Sequence, residues 1–154
     1  MKKTLQQWAD NGWLTPHTTS AQEIANLLAI VDRDLKDALE DISPDWRFSI
    51  AYNAALKLCM MLLYAAGYRA ARGGHEHYRP IQALPFILGA KYKSEAVYLE
   101  ACRKKRHLME YDYAGVATED DVAELMGAVR ALRDEVLTWL KKHHPQLLFN
   151  LRSP

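Results

Sequence analysis

Apolar residues recur at helical spacing through most of the chain, and no segment alternates convincingly at period two. Ser20-Ala21-Gln22-Glu23 has the form of a capping box, with Ser at the cap and Glu three residues on. The helix it opens carries Ile24, Leu27, Leu28, Val31, Leu35 and Leu39 on one stripe. Asp32, Arg33, Asp34, Lys36 and Asp37 fall mostly elsewhere on the wheel. Ser43-Pro44-Asp45 starts a second helix, with Pro at its favoured first position, expected to run to about Ala71. Its middle, residues 51–66, is apolar nearly all round, which predicts a helix central in its bundle or buried at an interface. Gly73-Gly74 ends it, and the loop His75-Glu76-His77-Tyr78-Arg79-Pro80 follows. A short helix is predicted over residues 81–88, with Pro85 inside it. Ser94 is a candidate cap for a helix reaching about residue 113. Thr118 caps the last helix, and Pro145 stops it. Glu119, Asp120 and Asp121 suit the positive end of that helix dipole, and Lys141, Lys142, His143 and His144 suit the other.

The pattern predicts an all-α fold, an antiparallel bundle of four to five helices. Residues 1–19 read as a leading arm, packed on the bundle through Leu5, Trp8, Trp13 and Leu14. Residues 20–145 form the bundle and residues 146–154 a C-terminal tail. Trp8, Trp13, Trp46 and Trp139 are expected as core or arm-packing residues.

The chain has 154 residues, enough for one domain with one core. Its composition is that of an ordinary globular protein, and the net charge of +1 excludes a general polyanion binder. Any nucleic-acid affinity must come from local clustering. Cys59 and Cys102 lie inside apolar helical patterns and read as reduced core thiols of a cytoplasmic protein. No run of about 18 apolar residues predicts a transmembrane helix, and the start has no apolar region of signal-peptide type.

One stretch concentrates chemistry. Arg103-Lys104-Lys105-Arg106-His107 is cationic, and Tyr111-Asp112-Tyr113 follows within the same predicted helix. At about 100° per residue, Val97, Ala101 and Leu108 make one stripe and Arg106 lies roughly opposite. Arg103, Glu110 and Tyr113 fall near Arg106, and Leu99, Cys102 and Met109 give a second apolar flank on its side. This is a place where a phosphate could be held. The competing reading is a solvated basic face with an Arg106–Glu110 pair at i,i+4, worth a few tenths of a kcal/mol.

The His77-Tyr78 loop is a second candidate, able to contact bases or phosphates. The competing reading is a loop packed on the end of the bundle. His75 and His77 have no completing ligands at metal spacing, so no metal and no cofactor is expected. There is no glycine-rich phosphate loop, nucleophile elbow or zinc-protease motif either.

Several segments together resemble the HEPN domains, in their short single-domain bacterial branch. They are Trp8-Ala9-Asp10-Asn11-Gly12-Trp13-Leu14-Thr15-Pro16-His17, Ala29-Ile30-Val31-Asp32-Arg33-Asp34-Leu35, Arg47-Phe48-Ser49-Ile50-Ala51-Tyr52-Asn53-Ala54-Ala55-Leu56, Ala65-Ala66-Gly67-Tyr68-Arg69, His77-Tyr78, Ile81-Gln82-Ala83-Leu84-Pro85 and Arg103 to Tyr113. The resemblance implies a helical bundle that forms a homodimer and acts on RNA in a toxin–antitoxin or phage-defence setting. In catalytic members the two copies form one cleft and cut RNA without metal. The family signature is an Arg, four to six residues, a His, and often a Tyr after one more residue. Here Arg106 fills the first position, Tyr111 stands at the His position, and Tyr113 fills the last.

Metal-independent cleavage needs the 2′-hydroxyl deprotonated, the leaving oxygen protonated and the phosphorane charge held. Arg106 suits the last task, because guanidinium binds phosphate bidentately. Tyrosine, with a pKa of about 10, is a poor base at neutral pH. The resemblance therefore gives Arg106 and Tyr111 as catalytic candidates; His107, next to Arg106 but about 100° away on a regular helix, could substitute as the base, the competing reading being a surface residue or a partner for a carboxylate. Arg103, Lys104, Lys105, Asp112, Tyr113, His77 and Tyr78 are candidates for substrate binding. The alternative is a non-catalytic module that binds nucleotide, RNA or a partner such as a nucleotidyltransferase antitoxin, with Tyr113 as a modification target.

Overall fold

A computed structural model describes residues 2–111 and 113–151 of the chain. Asp112 lies outside the described residues. Among those described, six α-helices and one two-stranded sheet account for the regular structure, with two short 3-10 segments. The helices are α1 Lys2–Asp10, α2 Ala21–Asp37, α3 Pro44–Ala65, α4 Tyr78–Leu88, α5 Lys93–Tyr111 and α6 Glu119–His143. The strands are β1 Leu14–Pro16 and β2 Tyr68–Ala70. The fold is mostly helical, as the periodicity predicts.

α3 is the axis of the molecule. Its nearly uniform apolar surface is covered by α2, α4, α5 and α6, which bury Phe48, Ala51, Tyr52, Leu58, Met61 and Leu62. By length and composition alone α3 could cross a membrane. Two thirds of that apolar window is instead buried inside the fold. α6 adds Val122, Leu125, Val129, Leu132, Val136 and Leu140 at helical spacing. Cys59 and Cys102 are free and buried, and burial pushes their thiols up to about 12 and about 11.

The caps follow the sequence in part. Ser20 and Ser43 accept from the backbone N–H of Glu23 and Trp46. The Glu23 carboxylate does not close a capping box on Ser20; it takes Thr19 Oγ1 at 2.7 Å and the His17 ring at 2.6 Å. The complete box is at α6, where Thr118 and Asp121 bond reciprocally to each other's backbone.

Three expectations are corrected. First, α3 ends at Ala65 rather than near Ala71. Gly67 takes a φ of 99°, open to glycine at little cost, and turns the chain into β2. β2 pairs antiparallel with β1, Leu14 opposite Ala70 and Pro16 opposite Tyr68. Three-residue strands are too short to show a period of two. This ribbon ties the leading segment to the end of α3.

Second, Trp46 is 64% exposed, whereas Trp13 packs against Trp8 as the arm reading expects. Trp46 precedes Phe48 by two residues, about 200° of helical turn, and Phe48 takes the core side. Third, Leu39 is exposed because α2 ends before it. The sequence offered two apolar flanks of α5 and left open which one faces the core. Leu99 and Cys102 are buried, while Val97 is 66% exposed and Leu108 is also exposed. The inward flank is the one that carries Arg106.

Candidate functional site

Because α5 turns its Leu99–Cys102 side to the core, Arg103 and Arg106 leave the helix toward α3 and the loop before α4. Both are half-buried. Arg106 Cζ lies 5.6 Å from the Tyr52 ring centroid, and its Nη2 is 2.8 Å from Glu110 Oε1. Arg103 is held bidentately by Glu100, at 2.6 and 2.8 Å, with its Cζ 5.8 Å from the Tyr78 ring.

The His77 ring sits on the same tyrosine, centroid to centroid 6.1 Å from Tyr52. Tyr78, its neighbour, is flanked on its other side by Arg79, Cζ 5.3 Å away. Arg79 also stacks 4.2 Å over Trp13, which explains why an exposed tryptophan stays ordered against the bundle.

Three buried polar atoms in this region have no hydrogen-bond partner among the described residues: Tyr52 Oη, Arg106 Nε and Arg79 Nε. All three can donate. A buried donor left unpaired costs about 1–3 kcal/mol. Tyr52 is only 1% exposed, so solvent does not reach most of it. Burial raises its pKa well above the ordinary range, so the phenol keeps its proton at neutral pH. Donors without acceptors, beside two guanidinium groups, form a setting in which an oxyanion satisfies what the protein does not.

The imidazole of His77 is pushed the other way. Partial burial lowers its pKa, and the charges of Arg106, Lys57 and Arg103 lower it further, against an opposing pull from Glu76. The residue as a whole is still solvent-exposed. It is a neutral, accessible base lying beside fixed positive charge.

The structure thus brings together Arg103, Arg106, His77 and Tyr78 from the sequence candidates. The others lie elsewhere. Tyr111 is 70% exposed at the end of α5 and stacks on His107, centroids 4.7 Å apart. Neither ring is among the contacts of the Arg106 cluster. Lys105 points to α6, bonding Asp121 at 3.0 Å. Lys104 is exposed on the α4–α5 side, and Tyr113 is exposed beyond the helix end. Tyr52 was the residue that sequence reasoning missed. Its signal was a hydroxyl inside an otherwise apolar helix, where it must find a partner or remain unpaired.

A groove lies beside this cluster. Asp45, in the first turn of α3, accepts from Gly115 N at 2.6 Å and Ala117 N at 2.9 Å. It thereby pins the α5–α6 loop and opens a groove of about 670 Å³ lined by Trp46, Ser49, Met109, Glu110, Tyr111 and others. Glu110 belongs to both places, lining the groove and pairing with Arg106. No family model, no curated protein and no solved structure matches this chain.

Proposed function

We propose that the chain is a HEPN-like, RNA-directed protein that holds a phosphodiester at the Tyr52–His77–Arg103–Arg106 cluster and cuts it without metal. The observation that carries this reading is the set of unpaired buried donors, Tyr52 Oη and Arg106 Nε, beside a histidine kept neutral. In this reading His77 does the work that the family assigns to the position held here by Tyr111. His77 Nε2 or Nδ1 takes the 2′-hydroxyl proton, and the 2′-oxygen attacks phosphorus. Arg106 and Tyr52 donate to the equatorial oxygens as charge builds. The P–O5′ bond breaks, and the 5′-oxygen takes a proton from solvent. The products are a 2′,3′-cyclic phosphate and a 5′-hydroxyl. Two copies form the homodimer of such domains, and the setting is a cytoplasmic toxin–antitoxin or defence system.

The alternative is a binding module that holds RNA or nucleotide without cutting it. The pairs Arg103–Glu100 and Arg106–Glu110 favour it, since a phosphate must share or displace a carboxylate at each arginine. The two readings separate on incubation with total RNA and tRNA in EDTA. The nuclease reading expects cleavage by wild type, lost in Arg106→Ala and in His77→Ala, with cyclic-phosphate ends. RNA bound but uncut by all three proteins would leave the binding module standing and overturn the nuclease.

A further inference from the structure

Arg79, in the first turn of α4, is half-buried and carries its charge without an acidic partner among the described residues. The Nε–Nη2 edge of a guanidinium is the fork that grips an oxyanion with two parallel bonds. Arg33, Arg103 and Arg133 turn that edge to Asp34, Glu100 and Asp32. Arg79 instead gives Nη1 to Gln82 Oε1 at 2.9 Å. Its Nε is buried and has no hydrogen-bond partner among the described residues, although the residue as a whole is still reached by solvent. The acid nearest in sequence, Glu76, is turned back into the loop, where it accepts from Gly73 N at 3.3 Å and Gly74 N at 3.1 Å.

The guanidinium is also held in place. Its Cζ stacks 4.2 Å over the Trp13 ring and stands 5.3 Å from the Tyr78 centroid. A ligand therefore meets an ordered fork and spends little on fixing it. Arg103 Cζ is 5.8 Å from the same Tyr78 centroid. One tyrosine thus ties Arg79 to the arginine cluster, and the two guanidinium groups can be no farther apart than these two distances laid end to end. α4 adds charge of the same sign. His77 makes no side-chain cap bond at its start, and its first turn holds no acid, so the positive end of this 11-residue helix is not offset from within. Each of these features calls for negative charge.

We infer that Arg79 is a second phosphate site, which takes the next phosphate along the strand when a phosphodiester lies at Tyr52, His77, Arg103 and Arg106. This rests on the phosphate reading of that cluster and adds the neighbouring contact. Neighbouring phosphates of one strand are joined through a single ribose and fall within the span that the shared Tyr78 ring sets. A phosphate on the Nε–Nη2 edge supplies the acceptor that the described residues do not. The protein then recognises two consecutive phosphates, and a ligand with only one forgoes the Arg79 contact.

The test uses 2′-O-methyl dinucleotides in EDTA, so that binding is read without cleavage. UpU carries one phosphate, and pUpU and UpUp carry a second at the 5′ or the 3′ end. Affinities are measured by NMR titration of wild type, Arg79→Gln, Arg79→Lys and the double variant Arg103→Ala/Arg106→Ala. Wild type is expected to gain about 10-fold from a second phosphate at one end. Arg79→Gln should lose that gain while binding UpU within about twofold of wild type. Arg79→Lys keeps the charge without the fork and should keep only part of the gain; it decides the matter if loss of the Trp13 stack unfolds Arg79→Gln in a melt. No gain in wild type from either end, or a gain that survives whole in the Arg79 variants, overturns the second site and leaves the first standing. Equal weakening of all three ligands in Arg79→Gln would mark a structural role and overturn it too. If wild type binds none of the three, or the double arginine variant binds UpU as wild type does, the phosphate reading itself fails and the second site falls with it.

Discussion

Tyr52 and His77 decide what kind of site this is. The Tyr52 hydroxyl is buried without a hydrogen-bond partner among the described residues, an arrangement that folding alone does not favour. Replacing it by Phe removes the unpaired group and keeps the ring under His77 and Arg106. Tyr52→Phe is expected to leave the free protein as stable or more stable by up to ~1 kcal/mol in a urea melt, while weakening RNA binding. A hydroxyl that served only the core would give the opposite pair of results.

His77 makes a pH prediction. Its folded pKa lies below the ordinary value of 6.5, so the unfolded chain binds the proton more readily. Above 6.5 both states hold neutral imidazole and the group contributes nothing. As pH falls through 6.5 the unfolded state takes up a proton first, and stability declines until the folded value is passed. His77→Ala should flatten that decline in melts between pH 7 and 5. The cleavage rate should likewise lose its acid limb below 6.5 rather than above it. Arg106→Ala removes a charge that depresses the imidazole, so that limb moves up in any residual activity.

At the scale of elements, the broad hydrophobic stripes and some of the caps were legible, while Ser94, inside α5 rather than at its cap, and the helix ends were not. Ser43-Pro44 and Thr118 mark true helix starts. The end of α3 was hidden because the ribbon that stops it depends on a partner strand more than 50 residues away, Leu14 with Ala70. The inward face of α5 was not legible because both of its flanks carry apolar residues. Only the presence of α3 and α4 decides that Leu99 and Cys102, rather than Val97 and Leu108, are buried. The arginines and His77 were each named from sequence, but their meeting at Tyr52 was not. His77 reaches them through a loop, and no periodicity predicts where a loop returns.

Two element-level substitutions test this packing. Leu58→Ala, in the fully buried middle of α3, should cost roughly 2–5 kcal/mol in denaturant melts. Thr118→Ala breaks the capping box of α6 and should cost about 1 kcal/mol. Thr118 bonds only within the first turn of α6, so this change should leave RNA binding unaltered once the protein is folded.

For the whole molecule, a net charge of +1 means that no general field draws in polyanions. Much of the basic stretch is committed within the fold. Arg103 pairs with Glu100, Lys105 with Asp121 and Arg106 with Glu110. Binding should therefore involve only two or three phosphates. The slope of log affinity against log salt is expected at about −1.4 to −2 for a single strand. A slope several times steeper would point to a broad basic face instead.

The most direct test watches the cluster itself. The Arg106 Nε–H and the His77 ring can each be followed by nitrogen-15 NMR as a short single-stranded RNA is added in EDTA. If a phosphate enters the cluster, the Arg106 Nε–H resonance shifts on saturation and the His77 pKa rises, because an anion now offsets the arginines. If RNA binds and neither signal moves, the phosphate lies elsewhere and the account of this site is wrong.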